Sequence, residues 1–460
     1  APSGNSTMIK SWWTKNYKRR RPIATIPQPE IFCWDEFEEI GDLERLELIL
    51  RHLPDEQLMQ ILERERGNGR NDYSVRAVWN SILAGIIFGH PSIASLRREL
   101  LRNAQLRQIC GFGICSGTRA VPHAWVYSRF LRRLEENSIA VRQIFDRLVD
   151  RCREKLPEFG RHLGCDGKAL PSYARRSGKS NHTDGRGEHD AAWGVHAHHS
   201  QGSDGVMRET VKRWFGFKLH LIADTRYELP MEFTVLPANH NEMPVIHRLL
   251  DGLAERTEPV LQTCETWTGD RGYDDGKLVT RLWDEYEIKP VIDIRNTWKD
   301  PDETRLVSNQ ENVTYDWAGT VRCVCPAMLK EREMAFGGFE TDRNTLKYRC
   351  PARHYGYECA GSDRCPVRSG IRIPLKENRR IFTPVARSSY RWKRLYNKRS
   401  ALERINSRID TSFGFERHTI RGLRKMSVTV TISLSLMLAV AVGRTVEKRP
   451  DLIRSLARTG

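Results

Sequence analysis

Residues 265–275 read ETWTGDRGYDD, and this stretch decides the fold class. A short run rich in threonine and tryptophan stops at Gly269, and an acid, Asp270, stands directly after it. Asp is poorly suited to a strand interior, so the run reads as a buried strand with its acid at the end. Upstream, residues 161–170 read RHLGCDGKAL and repeat the arrangement, with Asp166 closing a short apolar run. Between the two, WFGFKLHLIAD at 214–224 alternates, placing Phe215, Phe217, Leu219 and Leu221 on one face. LPMEFTVLPA at 229–238 follows after a break and predicts an antiparallel neighbour. The stretch at 243–256 has helical periodicity, as does 277–288, and KPVIDIR at 289–295 reads as another strand. The order β, ββ, α, β, α, β describes an α/β domain, a mixed sheet flanked by helices. In open sheets of this class ligands bind beyond strand ends, so Asp166 and Asp270 are placed to face one another.

Working outward, residues 35–150 are predicted helical, with Leu43, Leu46, Ile49 and Leu53 at helical spacing. A basic helix over 121–137 carries Arg129, Arg132 and Arg133, which share a face. With the helix before it, it is a candidate DNA-reading pair, against the alternative of a basic helix in an ordinary bundle. Residues 1–34 read as a short remnant foreign to the fold, Ala1–Thr7 before Met8, followed by a basic arm, Lys18, Arg19, Arg20 and Arg21, set among aromatic residues. The catalytic core is expected over 160–295. An irregular, cysteine-rich insertion is expected over 296–389, and C-terminal helices completing the core over 390–460. The uncharged stretch SVTVTISLSLMLAVAV at 427–442 is short for a membrane span and rich in Ser and Thr, and reads as a buried core helix. The five histidines between His182 and His199 lie in a Gly- and Ser-rich stretch that reads as a surface loop.

The chain carries 75 Lys and Arg against 58 Asp and Glu, a net charge of +17. Such an excess favours a polyanionic partner, because each cation set on a phosphate releases condensed counterions. No phosphate-cradling G-x-x-x-x-G-K-[ST] loop occurs, so no nucleotide cofactor is implied. No apolar segment follows the first charges, and the eleven cysteines are mostly scattered, which points to reduced thiols in the cytoplasm.

Two carboxylates meeting at one point repel unless a cation neutralises them, and Mg²⁺ takes one or two carboxylates together with phosphate oxygens. A third acid sits in RLYNKRSALERINSR at 394–408. There Tyr396, Arg399 and Glu403 fall at i, i+3 and i+7 on one helical face, in strongly basic surroundings. Taken alone, each Asp-Gly is ordinary turn chemistry; the ordered set of three acids is what points to a metal site. A second cluster gathers Cys323, Cys325, Cys350, Cys359 and Cys365, with His354 between them. Four of these could hold a structural zinc in an insertion read as lacking its own core; buried reduced thiols are the alternative.

The set resembles the DDE transposases of bacterial insertion sequences. Asp166, then Asp270 within Asp-Arg-Gly-Tyr, then the Tyr-x2-Arg-x3-Glu pattern of Tyr396, Arg399 and Glu403 match that family in order and local context. The likeness implies a ribonuclease-H-like catalytic domain with an N-terminal helical accessory domain. It also implies that Asp166, Asp270 and Glu403 bind two Mg²⁺ or Mn²⁺ ions, and that Tyr396 and Arg399 contact a phosphate. The expected partners are double-stranded DNA and at least a second copy of the chain. One position departs from the pattern: where the family often carries a Lys seven residues after the Glu, this chain has Asp410. Two alternatives remain at this point. One is a nuclease of the same fold that does not join DNA; the other is a zinc-stabilised DNA-binding regulator without catalysis.

Overall fold

The computed structural model describes residues 41–456 except 68–71, 114–115, 177–186, 202–206, 256–259 and 326. The arm Lys18–Arg21 therefore lies outside the described residues. The chain divides into two compact units, each discontinuous in sequence. The described parts of 41–157, 170–217 and 406–456 form one; 158–169 and 218–405 form the other. The expected C-terminal segment 390–460 is thus split, with its larger part joining the N-terminal helices.

The first unit opens with helices α1 (Glu44–His52), α2 (Glu56–Arg66), α3 (Val75–Ile87), α4 (Ile93–Arg102), α5 (Ala104–Cys110), α6 (Ala124–Glu136) and α7 (Ser138–Lys155). Their starts are set by short polar side chains. Ser74, Ser92 and Asn103 each accept a hydrogen bond from a backbone N–H of the first turn. Gly111, in the left-handed conformation, ends α5. Thirteen residues numbered 111–123 then intervene before α6, too many for the tight turn of a helix-turn-helix pair.

The main sheet has strands β1 (His162–Pro171), β2 (Ala192–Gln201), β3 (Met207–Asp224), β4 (Leu229–Pro237), β5 (Thr266–Gly269) and β6 (Lys289–Ile292), in the order β2-β3-β1-β5-β6 with β4 also on β3. Strands β1, β5 and β6 are parallel, and β2 and β3 antiparallel. The expected mixed sheet is therefore present, with two differences. β1 does not stop at Asp166 but runs on to Pro171. The histidine-rich stretch is not a loop over 192–201: it pairs residue for residue with Met207–Gly216. Its polar and charged residues hid the strand, because both partners lack an apolar stripe deep enough to register as a buried face. Trp193, Val195 and Val211 are exposed on it.

Helix α8 (Glu242–Ala254) follows β4 and buries Val245, Ile246, Leu249, Leu250 and Leu253. The insertion then folds as two small antiparallel sheets. One is β7 (Arg305–Leu306), β8 (Val313–Tyr315), β9 (Val321–Val324) and β10 (Glu331–Glu333); the other is β11 (Ala335–Glu340), β12 (Thr345–Arg349) and β13 (Ile371–Pro374). Val313, Leu346, Tyr348, Ile373 and Phe382 are buried in its centre. The expectation of a coreless insertion is corrected: its apolar residues are widely spaced in sequence, and only the sheet registers gather them. Asp274, whose side chain is 1% exposed, holds Arg380 at 2.6 Å and so ties the end of the insertion to the turn after Asp270.

Helices α9 (Tyr390–Tyr396) and α10 (Ser400–Thr411) come next, joined by a 3-10 turn, Asn397–Arg399. The last long helix, α11 (Leu423–Val446), is long and apolar enough to cross a membrane, yet 89% of its most apolar window is buried. It packs on α1, α3, α6 and α7. Thr429, Thr431, Ser433 and Ser435 each donate to the carbonyl four residues back, so no hydroxyl on them enters the core unpaired.

Candidate active site

The three acids reach one region by independent routes within the second unit. Parallel pairing of β1 with β5 sets His162 beside Thr266 and Gly164 beside Thr268. Asp166 follows Gly164 by two residues and Asp270 stands directly past the end of β5, near enough for its charge to act on Asp166. Asp270 also caps the turn that follows it, accepting from the Gly272 N–H at 2.7 Å.

Helix α10 brings the third acid. Leu402 lies against Gly164, where a Cβ would meet Thr268 Oγ1 at 2.6 Å, Thr225 at 3.0 Å and Leu402 at 3.1 Å. Gly164 and Asp166 are two apart on a strand, so the helix lies over the face from which Asp166 projects. α9 is seated by Leu395 on Val291 of β6 and Val385. Tyr396, Arg399 and Glu403 then stand in sequence along the helical run. The Arg399 guanidinium lies 5.9 Å from the Tyr396 ring centroid and bonds Glu403 Oε1 at 2.8 Å. Trp392 stacks on Tyr396 at 4.7 Å. The Arg399 charge is felt by Asp166 and Asp270 as well as by Glu403.

The electrostatics are those of a crowded acidic site. Burial, and then the neighbouring Asp270, push the Asp166 carboxyl up to about 6. Glu242 adds to this, while Arg399 and the Gly167 N–H oppose it. Glu242 was not singled out by sequence. As the first residue of α8 it looks like any acid placed in a first helical turn. In the fold its carboxylate fills the space left by two glycines: a Cβ on Gly167 would lie 2.8 Å from Glu242 Oε1, and one on Gly272 would lie 2.9 Å from Oε2. Lys218 holds the same carboxylate at 3.2 Å. Glu242 is thus wedged between the segments that carry Asp166 and Asp270.

The donor set suits a hard divalent cation: carboxylate oxygens, with the buried Asp166 carboxyl resisting ionisation beside Asp270. As the side chains stand, no three His, Cys, Asp or Glu groups among the described residues converge as metal ligands. Glu403, 60% exposed at its side chain, is turned to Arg399.

The other expected site residues lie apart. Arg129 and Arg132 are exposed on α6 of the first unit and Arg133 half-buried; Arg129 lies over the exposed Trp125 ring at 5.4 Å. Arg404, next to Glu403, is engaged by Glu228 at 2.8 Å. Trp267 is fully buried beneath the site and donates to Cys165. The five insertion cysteines line one cavity, whereas His354 is absent from its wall and packs on Tyr355.

Comparison with known proteins gives one strong result. The family described as "Transposase DDE domain" matches residues 192–438, a span that includes Asp270 and Glu403 and begins after Asp166. No curated protein matches the chain. A cryo-EM structure of a piggyBac transposase synaptic complex with hairpin DNA is similar over 91% of this chain and 86% of its own, at 14% identity and a TM-score of 0.30. That likeness is too slight to bear on the fold. With more than half of its length matched by one family, the chain belongs to the DDE transposase domain family.

Proposed function

We propose that this protein is the transposase of a bacterial insertion element, cleaving DNA at the element ends and transferring the freed 3′-OH into target DNA. The observation that supports the reading is the crowding of Asp166 by Asp270 beside Arg399, which itself holds Glu403. In this reading Asp166, Asp270 and Glu403 would hold two Mg²⁺ or Mn²⁺ ions, which would require Glu403 to leave Arg399. When bound, such ions lower the pKa of a water or 3′-OH and neutralise charge on the phosphate. The chain's own work is alignment and charge placement, since phosphoryl transfer asks little else of a protein. Arg399 and Tyr396 face a phosphate oxygen once Glu403 is released. Glu242 keeps the two aspartate segments at a fixed separation. Arg129, Arg132 and Arg133, together with Lys18, Arg19, Arg20 and Arg21, follow the DNA backbone and contribute affinity rather than sequence choice. The working form is a homodimer or larger assembly on double-stranded DNA in the cytoplasm, with no membrane and no nucleotide cofactor involved.

The test combines purified protein, Mg²⁺ and labelled DNA carrying candidate element ends. Asp166→Asn, Asp270→Asn and Glu403→Gln should each reduce cleavage by about a hundredfold or more while leaving DNA binding within about threefold. Joined products are expected. Nicks without joining would leave a nuclease in place of a transposase, and full cleavage by all three variants would remove the catalytic assignment.

A further inference from the structure

The insertion encloses a cavity of about 240 Å³ whose wall contains Cys323, Cys325, Cys350, Cys359 and Cys365. None of the five belongs to the acidic site. Cys325 Sγ lies 3.6 Å from Cys359 Sγ. Two sulfurs bound to one tetrahedral zinc at about 2.3 Å each stand about 3.8 Å apart, so the pair already has the spacing of two ligands on one edge. A disulfide would bring them to about 2.05 Å.

Cys323 lies within β9 and Cys325 directly follows its end. The field at Cys323 comes from burial and then from Cys350, Cys365 and Cys359. Lys330, Arg332, Arg353 and Arg368 line the same cavity and offset the net negative charge of a zinc–tetrathiolate centre.

We propose that this cavity is a structural zinc site in which Cys325 and Cys359 are two ligands and two of Cys323, Cys350 and Cys365 complete the set. As the sulfurs stand they are not closed on one point; metal draws the remaining pair in. The site pins the end of β9 to the short helix Pro351–Tyr355 and to the turn Ser362–Arg364. It stands whether or not the chain cleaves DNA.

The test uses the full chain purified without chelator. Elemental analysis should give about one zinc per chain, and Cys325→Ser and Cys359→Ser should each lower it at least about fivefold. Two of the three single variants at Cys323, Cys350 and Cys365 should do the same. Because a variant could lose zinc by failing to fold, the zinc-stripped wild type is also titrated with Co²⁺. It should develop the d–d bands of tetrahedral cobalt with sulfur-to-metal charge transfer. Less than about half a zinc per chain together with no tetrahedral cobalt bands would overturn the proposal. So would a Cys325–Cys359 disulfide in a peptide map, or full zinc retained by both Cys325→Ser and Cys359→Ser.

Discussion

At the scale of single residues, Asp166 carries the most consequential chemistry. Its ordinary value is 3.8, and in the fold it rises to about 6. The folded chain therefore holds that proton more tightly than the unfolded chain, and folding takes one up between roughly pH 4 and pH 6. Stability falls as pH rises through that window and stays lower above it. In metal-free protein at pH 7.5, Asp166→Asn should melt above wild type, by on the order of 3 kcal/mol at most, and the gain should vanish below about pH 4. Thermal melts across that range check it; a variant less stable than wild type at pH 7.5 would contradict the burial and crowding described here. Much of this was legible beforehand. An acid after a short apolar run is conspicuous, and two of them in order more so. Glu242 was not legible, because its meaning lies in two missing Cβ atoms contributed by segments far from it in sequence.

At the scale of elements, legibility followed periodicity. The strand carrying Phe217 and Leu219 alternates and is legible; β2 carries no apolar stripe and reads as loop. The insertion's core was invisible because each of its strands is short. The helix α11 was read correctly from its uncharged run, although its neighbours could not be. Their closeness is measured at Gly443, where a Cβ would lie 2.7 Å from Leu48 of α1 and 2.9 Å from His52. Gly443→Leu should cost about 1–3 kcal/mol through forced separation of α1 from α11, read as a lower Tm. A melt unchanged within about 0.5 kcal/mol would show that the two helices yield without loss.

At the scale of the whole molecule, the net charge of +17 sets how the chain meets DNA. A protein covering on the order of six phosphates loses about a thousandfold in affinity between roughly 50 and 200 mM salt. Binding of random-sequence duplex should show a slope of that kind. Changing Arg129, Arg132 and Arg133 together to Gln should flatten it by about one for each phosphate contact removed. An unchanged slope would take α6 off the DNA. The division into discontinuous units was not foreseeable, since 170–217 and 406–456 carry no mark in composition of the partner they choose.

That division also governs when the protein can first exist. Synthesis delivers α1, α3, α6 and α7 hundreds of residues before α11, the helix that fills the space among them. Until the ribosome has made residue 446, the groove that α11 fills, with Leu48 in its wall, lacks that helix. Such a groove is a surface for chaperones and for aggregation. A product ended early by a stop codon or frameshift before α11 would lack the centre of its helical unit even with Asp166, Asp270 and Glu403 intact. Completion of translation is thereby a checkpoint on this member of the DDE transposase domain family.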